Sequence, residues 1–368
     1  MDVLVVGAGI IGCAVARELA VRDVNVAIVD ARDVGRGATH ASAGVLAPYI
    51  EAHEGGTLLD LTVRSLELYD AWIDGIRAES GIDVEYRRSG SLEVALDART
   101  ASRLLQMPAR FAAREKLLWL DAAQARRTEP ALSDSALGAL AVPTHGYVAA
   151  TVLTEALARA AIARGASVHS HCHVTAIDCQ GDLVEVRAVD GRSWRAKRVV
   201  VAAGSWTGQL EGLSSVAHDV RPVRGQLLRV IWRSTPLRQV IWGPDCYLVP
   251  WADGTVLIGA TVEDVGFDER NTVAGVRTLL VAAQNLLPGM EDATFLEARV
   301  GLRPATSDGL PIIGQSDSTD RVVYATGHYR NGILLAPLTA KLVADLVVDN
   351  RRDPILEALT PGRRVPGV

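Results

Sequence analysis

Residues 2–30, DVLVVGAGIIGCAVARELAVRDVNVAIVD, decide the fold. The run from Val3 to Val6 is wholly apolar and short, as a strand buried on both faces is. Ile10 to Val21 carries helical periodicity, and Val24 to Val29 forms a second apolar strand. Between the first two elements Gly7, Gly9 and Gly12 fall in G-x-G-x-x-G spacing. Each glycine has its own reason: a tight turn, close approach of a pyrophosphate to the helix N-terminus, and close packing of helix on strand. Asp30 ends the second strand 23 residues after Gly7, where a carboxylate can accept hydrogen bonds from a ribose. A G-x-G-x-x-G alone is a weak signal. Here strand, helix, second strand and terminal acid agree, and they predict an α/β, Rossmann-like dinucleotide-binding unit.

The next segment, RDVGRGATHASAGVLAPY (residues 32–49), is rich in small residues and too polar for a packed strand. It reads as a loop running into a short helix, with Ala38, Thr39, Ala43 and Gly44 letting backbone approach a flat ligand. A nicotinamide enzyme would ordinarily continue with another crossover helix, so the loop favours a longer cofactor such as FAD. Arg36 is placed either beside a pyrophosphate or in solvent.

At 368 residues the chain has room for about two domains. Its net charge of −5 offers no footprint for nucleic acid. The segment from Val3 to Ala16 is too short to span a bilayer and follows no basic segment, so neither an anchor nor a signal peptide is expected. Cys13, Cys172, Cys179 and Cys246 have no framework spacing, which predicts reduced thiols and a cytoplasmic protein. HSHCH, residues 169–173, looks metal-binding, but on one strand His169, His171 and His173 share a face and Cys172 points away. No metal is expected.

Further along, helical periodicity runs from Leu58 to Ser80, from about Leu96 to Arg127, over Thr151–Gly165 and over Thr272–Leu287. Residues 129–148 read as loop apart from PTHGYV. One strand is expected from Ser167 to Asp178, paired through Gly181-Asp182 with Val184–Ala188. RVVVAAG (198–204) and VVYATG (322–327) are apolar strands that end in glycine, and residues 220–260 are rich in short strands. The chain therefore alternates between a doubly wound sheet and an antiparallel insertion.

GAGIIG, ASAGVL, CYLVP (246–250), GLRPATSDGLPIIG (301–314) and GHYRNGILLAP (327–337) together resemble the flavin-dependent D-amino-acid oxidase superfamily. They are most similar to its glycine oxidase branch, which serves thiamine biosynthesis. The likeness runs from Asp2 to about Leu346. It implies noncovalent FAD, with residues 1–82, 146–218 and 300–368 forming a discontinuous FAD-binding domain. Residues 83–145 and 219–299 would form a substrate domain of the D-amino-acid oxidase type on an antiparallel sheet. Residues and resemblance together place cofactor contacts at Gly7, Gly9, Ile10, Ile11, Gly12, Asp30 and Ala31, and at Ala38, Thr39, Ala43, Gly44 and Val45. Val174 and Gly204 follow, then His328, Tyr329, Arg330, Asn331, Gly332, Ile333 and Leu334, where a helix N-terminus would face the flavin.

Carried onto this sequence, the resemblance makes Arg303 the grip on a substrate carboxylate, Tyr247 its helper and Arg330 a second arginine near substrate. A planar guanidinium suits that task because it makes two parallel hydrogen bonds to a carboxylate. Val45, Val262 and Trp251 depart from the residues usual in that branch and bear on pocket size. No cysteine follows Cys246, which goes with a flavin that is not covalently linked. The implied reaction moves a hydride from Cα of glycine, another small amine or a D-amino acid to the flavin. It needs no obligatory side-chain acid or base, and O2 becomes hydrogen peroxide. A homo-oligomer and a functional link to thiazole synthase are also implied. The alternatives are a dehydrogenase of the same fold that passes electrons to a quinone or carrier, and a noncatalytic dinucleotide-binding module.

Overall fold

The computed structural model describes residues 1–214 and 219–363, so residues 215–218 and 364–368 of the expected FAD-binding segments lie outside it. Six strands form one sheet in the order Ile312–Ser316, Thr319–Thr326, Arg198–Val201, Val3–Val6, Val26–Val29, Ser167–His169. All neighbours run parallel except the first pair, a hairpin. The central strands Val3–Val6 and Val26–Val29 read as continuous apolar runs because both faces are covered, whereas the edge strand Ser167–His169 is partly exposed. Val3, Val5, Ile28, Val200 and Val323 face the helices Ile10–Val21, Thr57–Ser80, Ala150–Ala163 and Gly332–Val348. Leu4, Val6, Val29, Val201 and Tyr324 face a three-stranded antiparallel sheet, Val174–Gln180, Leu183–Ala188 and Ser193–Ala196.

The strand expected from Ser167 to Asp178 is two strands in two sheets. The chain leaves the parallel sheet at His169 and turns through His171, whose φ is 56°. It enters the second sheet at Val174. Residues 169–173 lack the alternating apolar pattern that would hold one strand in register. The three histidines therefore share no face. His169 lies beside the Trp194 ring, His171 is exposed 3.1 Å from Asp33, and His173 lines the cavity described below. Among the described residues no group of three or more His, Cys, Asp or Glu side chains is placed to hold a metal ion.

A second large sheet has eight strands in the order Thr294–Ala305, Arg221–Ile231, Thr255–Gly259, Tyr247–Pro250, Val240–Trp242, Ser91–Ala95, Gly138–Val142, Leu118–Asp121. It is antiparallel except where Val240–Trp242 meets Ser91–Ala95. Two of its strands fall where helix and loop were expected. Gly138–Val142 (GALAV) has little of the β-branched and aromatic content that marks a strand. Leu118–Asp121 is a short edge strand between the helices Ala98–Phe111 and Ala122–Thr128. One face of this sheet packs Leu228, Val230, Leu248 and Ile258 against the helix Val273–Leu286. Among the described residues no helix is long and apolar enough to cross a membrane.

Candidate active site

The carboxyl ends of the parallel strands and the free face of the eight-stranded sheet enclose a cavity of about 1270 Å³. Open α/β sheets bind ligands at that end of their strands. The first glycine loop behaves as its spacing requires. Gly7 turns with φ 114°, and a Cβ there would lie 2.3 Å from the Ala202 carbonyl oxygen. A Cβ on Gly12 would fall 1.8 Å from the Gly7 carbonyl oxygen, so this glycine serves helix packing and does not line the cavity. Gly9 meets nothing closer than Thr39 Oγ1 at 3.6 Å, which leaves its cavity side clear. It caps the helix Ile10–Val21 without a side chain, while the Ile10 N–H donates to Thr39 Oγ1 at 3.1 Å. Asp30 is fixed as an acceptor: Oδ2 accepts from the Ala8 N–H at 2.6 Å and Oδ1 from the Arg32 N–H at 2.7 Å. Burial pushes its pKa up, and those two hydrogen bonds oppose the shift.

Residues 37–45 line the next stretch of the cavity apart from His40. Gly44 lets the chain pass against the neighbouring strand, since its Cβ would lie 1.8 Å from the Val148 carbonyl oxygen. Arg36 is exposed and outside the cavity. The cation there is Arg32, which lies over the Trp206 ring at 4.6 Å and pairs with Glu269 at 2.6 Å. Ala31, Val174 and Gly204 also line the wall.

At the far end the strand Thr319–Thr326 runs through Gly327 into the helix Gly332–Val348. Residues 328–333 all line the cavity; Leu334 is turned into the core. His328 contributes backbone rather than chemistry. Its ring points to Thr339 (Nε2···Oγ1 3.0 Å), and burial lowers its pKa to about 3. Pro337 denies the Ile333 carbonyl its helical N–H donor. The Tyr69 hydroxyl donates to that carbonyl instead, and Ser65 Oγ donates to the Leu334 carbonyl at 2.7 Å. Both side chains come from the helix Thr57–Ser80, which fixes the mouth of the C-terminal helix against the cavity.

The free face of the eight-stranded sheet supplies the remaining wall. Strand alternation and register put Arg303, Gly301, Gly225, Gly259 and Tyr247 on this one face. The glycines make room for their neighbours. A Cβ on Gly225 would lie 2.2 Å from Arg303 Nη2, and one on Gly259 would lie 2.5 Å from the Tyr247 hydroxyl. Arg303 Nη1 donates to the carbonyls of Thr261 (3.0 Å) and Arg224 (3.4 Å), and among the described residues no carboxylate lies within ion-pair distance. Burial pushes its pKa down, with the nearby Tyr247 and Arg330 acting in opposite senses. Arg330 differs. Desolvation lowers its pKa, but Glu51, 3.1 Å away, outweighs it and the shift is upward. Burial raises the Tyr247 pKa against the pull of Arg303 and Arg330, so its hydroxyl stays a donor.

Val45 and Val262 line the cavity; Trp251 packs on Tyr147 outside it. Sequence reasoning missed Glu51, Arg32, Trp206 and the strand glycines Gly225 and Gly259. The glycines carried a usable signal, because glycine inside a strand marks a close approach.

A glycine-rich loop at a helix N-terminus, a part-buried acid held beside it and, among the described residues, a cation without an ion-pair partner further along one long cavity suit a dinucleotide-dependent enzyme. The family of FAD dependent oxidoreductases (DAO) matches residues 2–346, and the chain belongs to it. It is an FAD-dependent oxidoreductase of glycine oxidase type. The crystal structure of glycine oxidase from Geobacillus kaustophilus superposes with a TM-score of 0.94 at 34% identity, covering 99% of both chains. Iminodiacetate oxidase from Chelativorans sp. BNC1 gives 0.89 at 30%, covering 98% of this chain and 99% of that one. The bifunctional protein ThiO/ThiG of Synechocystis sp. is 34% identical over 368 residues, 98% of this chain, which spans 54% of that relative's length.

Proposed function

We propose that the chain catalyses oxidative deamination of glycine, other small amines or D-amino acids, with O2 reduced to hydrogen peroxide. The observation that carries this reading is Arg303, a cation on the cavity wall with no carboxylate partner among the described residues, beside the Tyr247 hydroxyl and at the far end of the glycine-loop cradle. Residues 1–82, 146–218 and 300–368 are assigned to FAD and residues 83–145 and 219–299 to substrate; the strand Thr294–Ala305 runs across that division.

Bound noncovalently, FAD supplies the two-electron acceptor for the substrate Cα–H bond. Gly7, Gly9, Ile10, Ile11 and Asp30 would hold its adenosine and pyrophosphate, and Ala43, Gly44, Val45 and residues 328–333 its ring system. Arg303 forks onto the substrate carboxylate and Tyr247 donates a further hydrogen bond, which orients the amine-bearing carbon. The N-terminus of the helix Gly332–Val348 presents roughly half a positive charge to the cavity and favours anionic charge there. No side chain is required as general base; the amine must be neutral when its electrons develop the imine.

The bifunctional Synechocystis relative supports supply of glycine imine to a thiazole synthase in thiamine synthesis. Four free cysteines suit a reducing, cytoplasmic setting. The test is to purify the protein, release a yellow flavin with acid, and assay peroxide with glycine, sarcosine and D-alanine. A colourless protein unable to take up FAD ends this reading. Fast dye reduction with slow O2 reoxidation would move it to a dehydrogenase serving a quinone or carrier.

A further inference from the structure

Four arginines line the cavity among the described residues: Arg32, Arg103, Arg303 and Arg330. Three are neutralised from within the protein. Arg32 is 2.6 Å from Glu269, Arg103 is 2.9 Å from Glu93, and Arg330 is 3.1 Å from Glu51. Among the described residues Arg303 alone of the four has no carboxylate within ion-pair distance, and Glu51 acts on it only weakly, from farther away than on Arg330. A ligand with one carboxylate therefore finds one free guanidinium. A second carboxylate would find none, and beside Arg330 it would meet Glu51, whose side chain is 15% exposed and on the cavity wall.

We infer that Glu51 is a specificity-determining residue: by holding Arg330 it restricts the site to monocarboxylates, and its neutralisation opens a second carboxylate subsite on Arg330. This deepens the reading above and names its substrate class as amines bearing a single carboxylate. A neighbour of the same fold is an iminodiacetate oxidase, named for a substrate with two carboxylates, so the overall architecture does not impose the limit. Like charges placed together in a partly desolvated site repel strongly, which makes one carboxylate an effective filter. Glu51 acts through Arg330, as a positioning residue, and takes no part in the oxidation.

The test titrates the holoenzyme with acetate and with malonate and follows the flavin absorbance. Glu51→Gln should raise the preference for malonate over acetate by about tenfold or more. Glu51→Asp, which keeps the charge, should retain the wild-type ratio, and adding Arg330→Gln to Glu51→Gln should remove the gain. An unchanged ratio in Glu51→Gln, or a gain that survives loss of Arg330, overturns the inference. Should the variants fail to fold, the wild type decides: iminodiacetate should be a far poorer substrate than N-propylglycine, a neutral molecule of similar length, and equal kcat/KM values would refute the filter. The titration needs no turnover. Failure of every amine to be oxidised would therefore defeat the functional reading and leave the Glu51 result standing.

Discussion

Tyr69→Phe isolates one hydrogen bond that holds the C-terminal helix at the cavity. Tyr69 is fully buried, with its ring against Trp72 at 5.5 Å and Tyr86 at 5.8 Å, so phenylalanine preserves the packing and removes only the hydroxyl. The Ile333 carbonyl then has no donor, because the residue four positions on is Pro337. Leaving a buried carbonyl unsatisfied costs about 1–3 kcal/mol. Unfolding entropy near 2.1 cal/mol/K per residue over 368 residues converts that to a fall in thermal midpoint of roughly 1–4 °C. The measurement is thermal unfolding of the holoprotein by circular dichroism. The decisive control is Pro337→Ala, which restores an N–H to the helix opposite the Ile333 carbonyl. In that background Tyr69→Phe should cost about 1 kcal/mol less, a coupling that a double-mutant cycle reads directly. An unchanged midpoint in Tyr69→Phe, or an equal loss with and without Pro337, would refute the assigned partnership.

Arg303→Ala should lower kcat/KM for glycine by about a hundredfold or more, mainly through KM, since two charge-assisted hydrogen bonds are lost; unchanged kinetics would remove Arg303 from the site. Gly225→Ala puts a Cβ where Arg303 Nη2 lies, 2.2 Å away, so KM should rise while flavin content, read by absorbance, stays near one per chain. Gly12→Ala should do the reverse and lose FAD on gel filtration, because its Cβ would strike the Gly7 carbonyl oxygen at 1.8 Å. His145 and His328 are buried and held neutral, each with a pKa lowered by burial from 6.5 to about 3. Below pH 6.5 the unfolded chain binds protons that the native chain refuses, so stability falls as pH drops towards 3. Between pH 7 and 5 each histidine should contribute about 2 kcal/mol of that loss. His145→Asn should flatten the dependence of stability, read from urea unfolding, on pH over this window by about 0.7 proton on average; an identical slope would show that His145 titrates normally in the fold.

The centre of the parallel sheet was legible because Val3–Val6, Arg198–Val201 and the end of Thr319–Thr326 are buried apolar runs that lead into glycine. Of the 21 residues that motifs and resemblance together assigned to the cofactor, 19 line the cavity. The two that do not, Gly12 and Leu334, belong to the same motifs but serve packing. Pairing between distant residues left no local trace. Glu51 and Arg330 stand far apart in sequence, as do Tyr69 and Ile333, and neither member of each pair sits in a pattern that names the other. Strands were lost where composition contradicted them, as in GALAV, or where an apparent continuation changed sheets, as at His171.

The substrate end adds a different lesson, because much of its sequence signal lies in missing side chains. Arg303 and Tyr247 can lie against the sheet only where the next strand offers no Cβ, at Gly225 and Gly259. Gly301, on the same strand as Arg303, likewise lets the sheet approach the segment Ala38–Ala41, where an added Cβ would meet Ala41 Cβ at 2.9 Å. Three glycines on one face of three adjacent strands weaken a sheet individually, since each lacks a side chain to pack. Their joint cost is sensible only if the face must hold a long cation flat and bring a wall stripped of side chains close to the segment Ala38–Ala41. Arginine and tyrosine motifs thus point to the groups proposed to bind, whereas the strand glycines mark where those groups must lie. Restoring a methyl at Gly225 alone should therefore disable carboxylate binding as surely as removing Arg303, with the guanidinium still present.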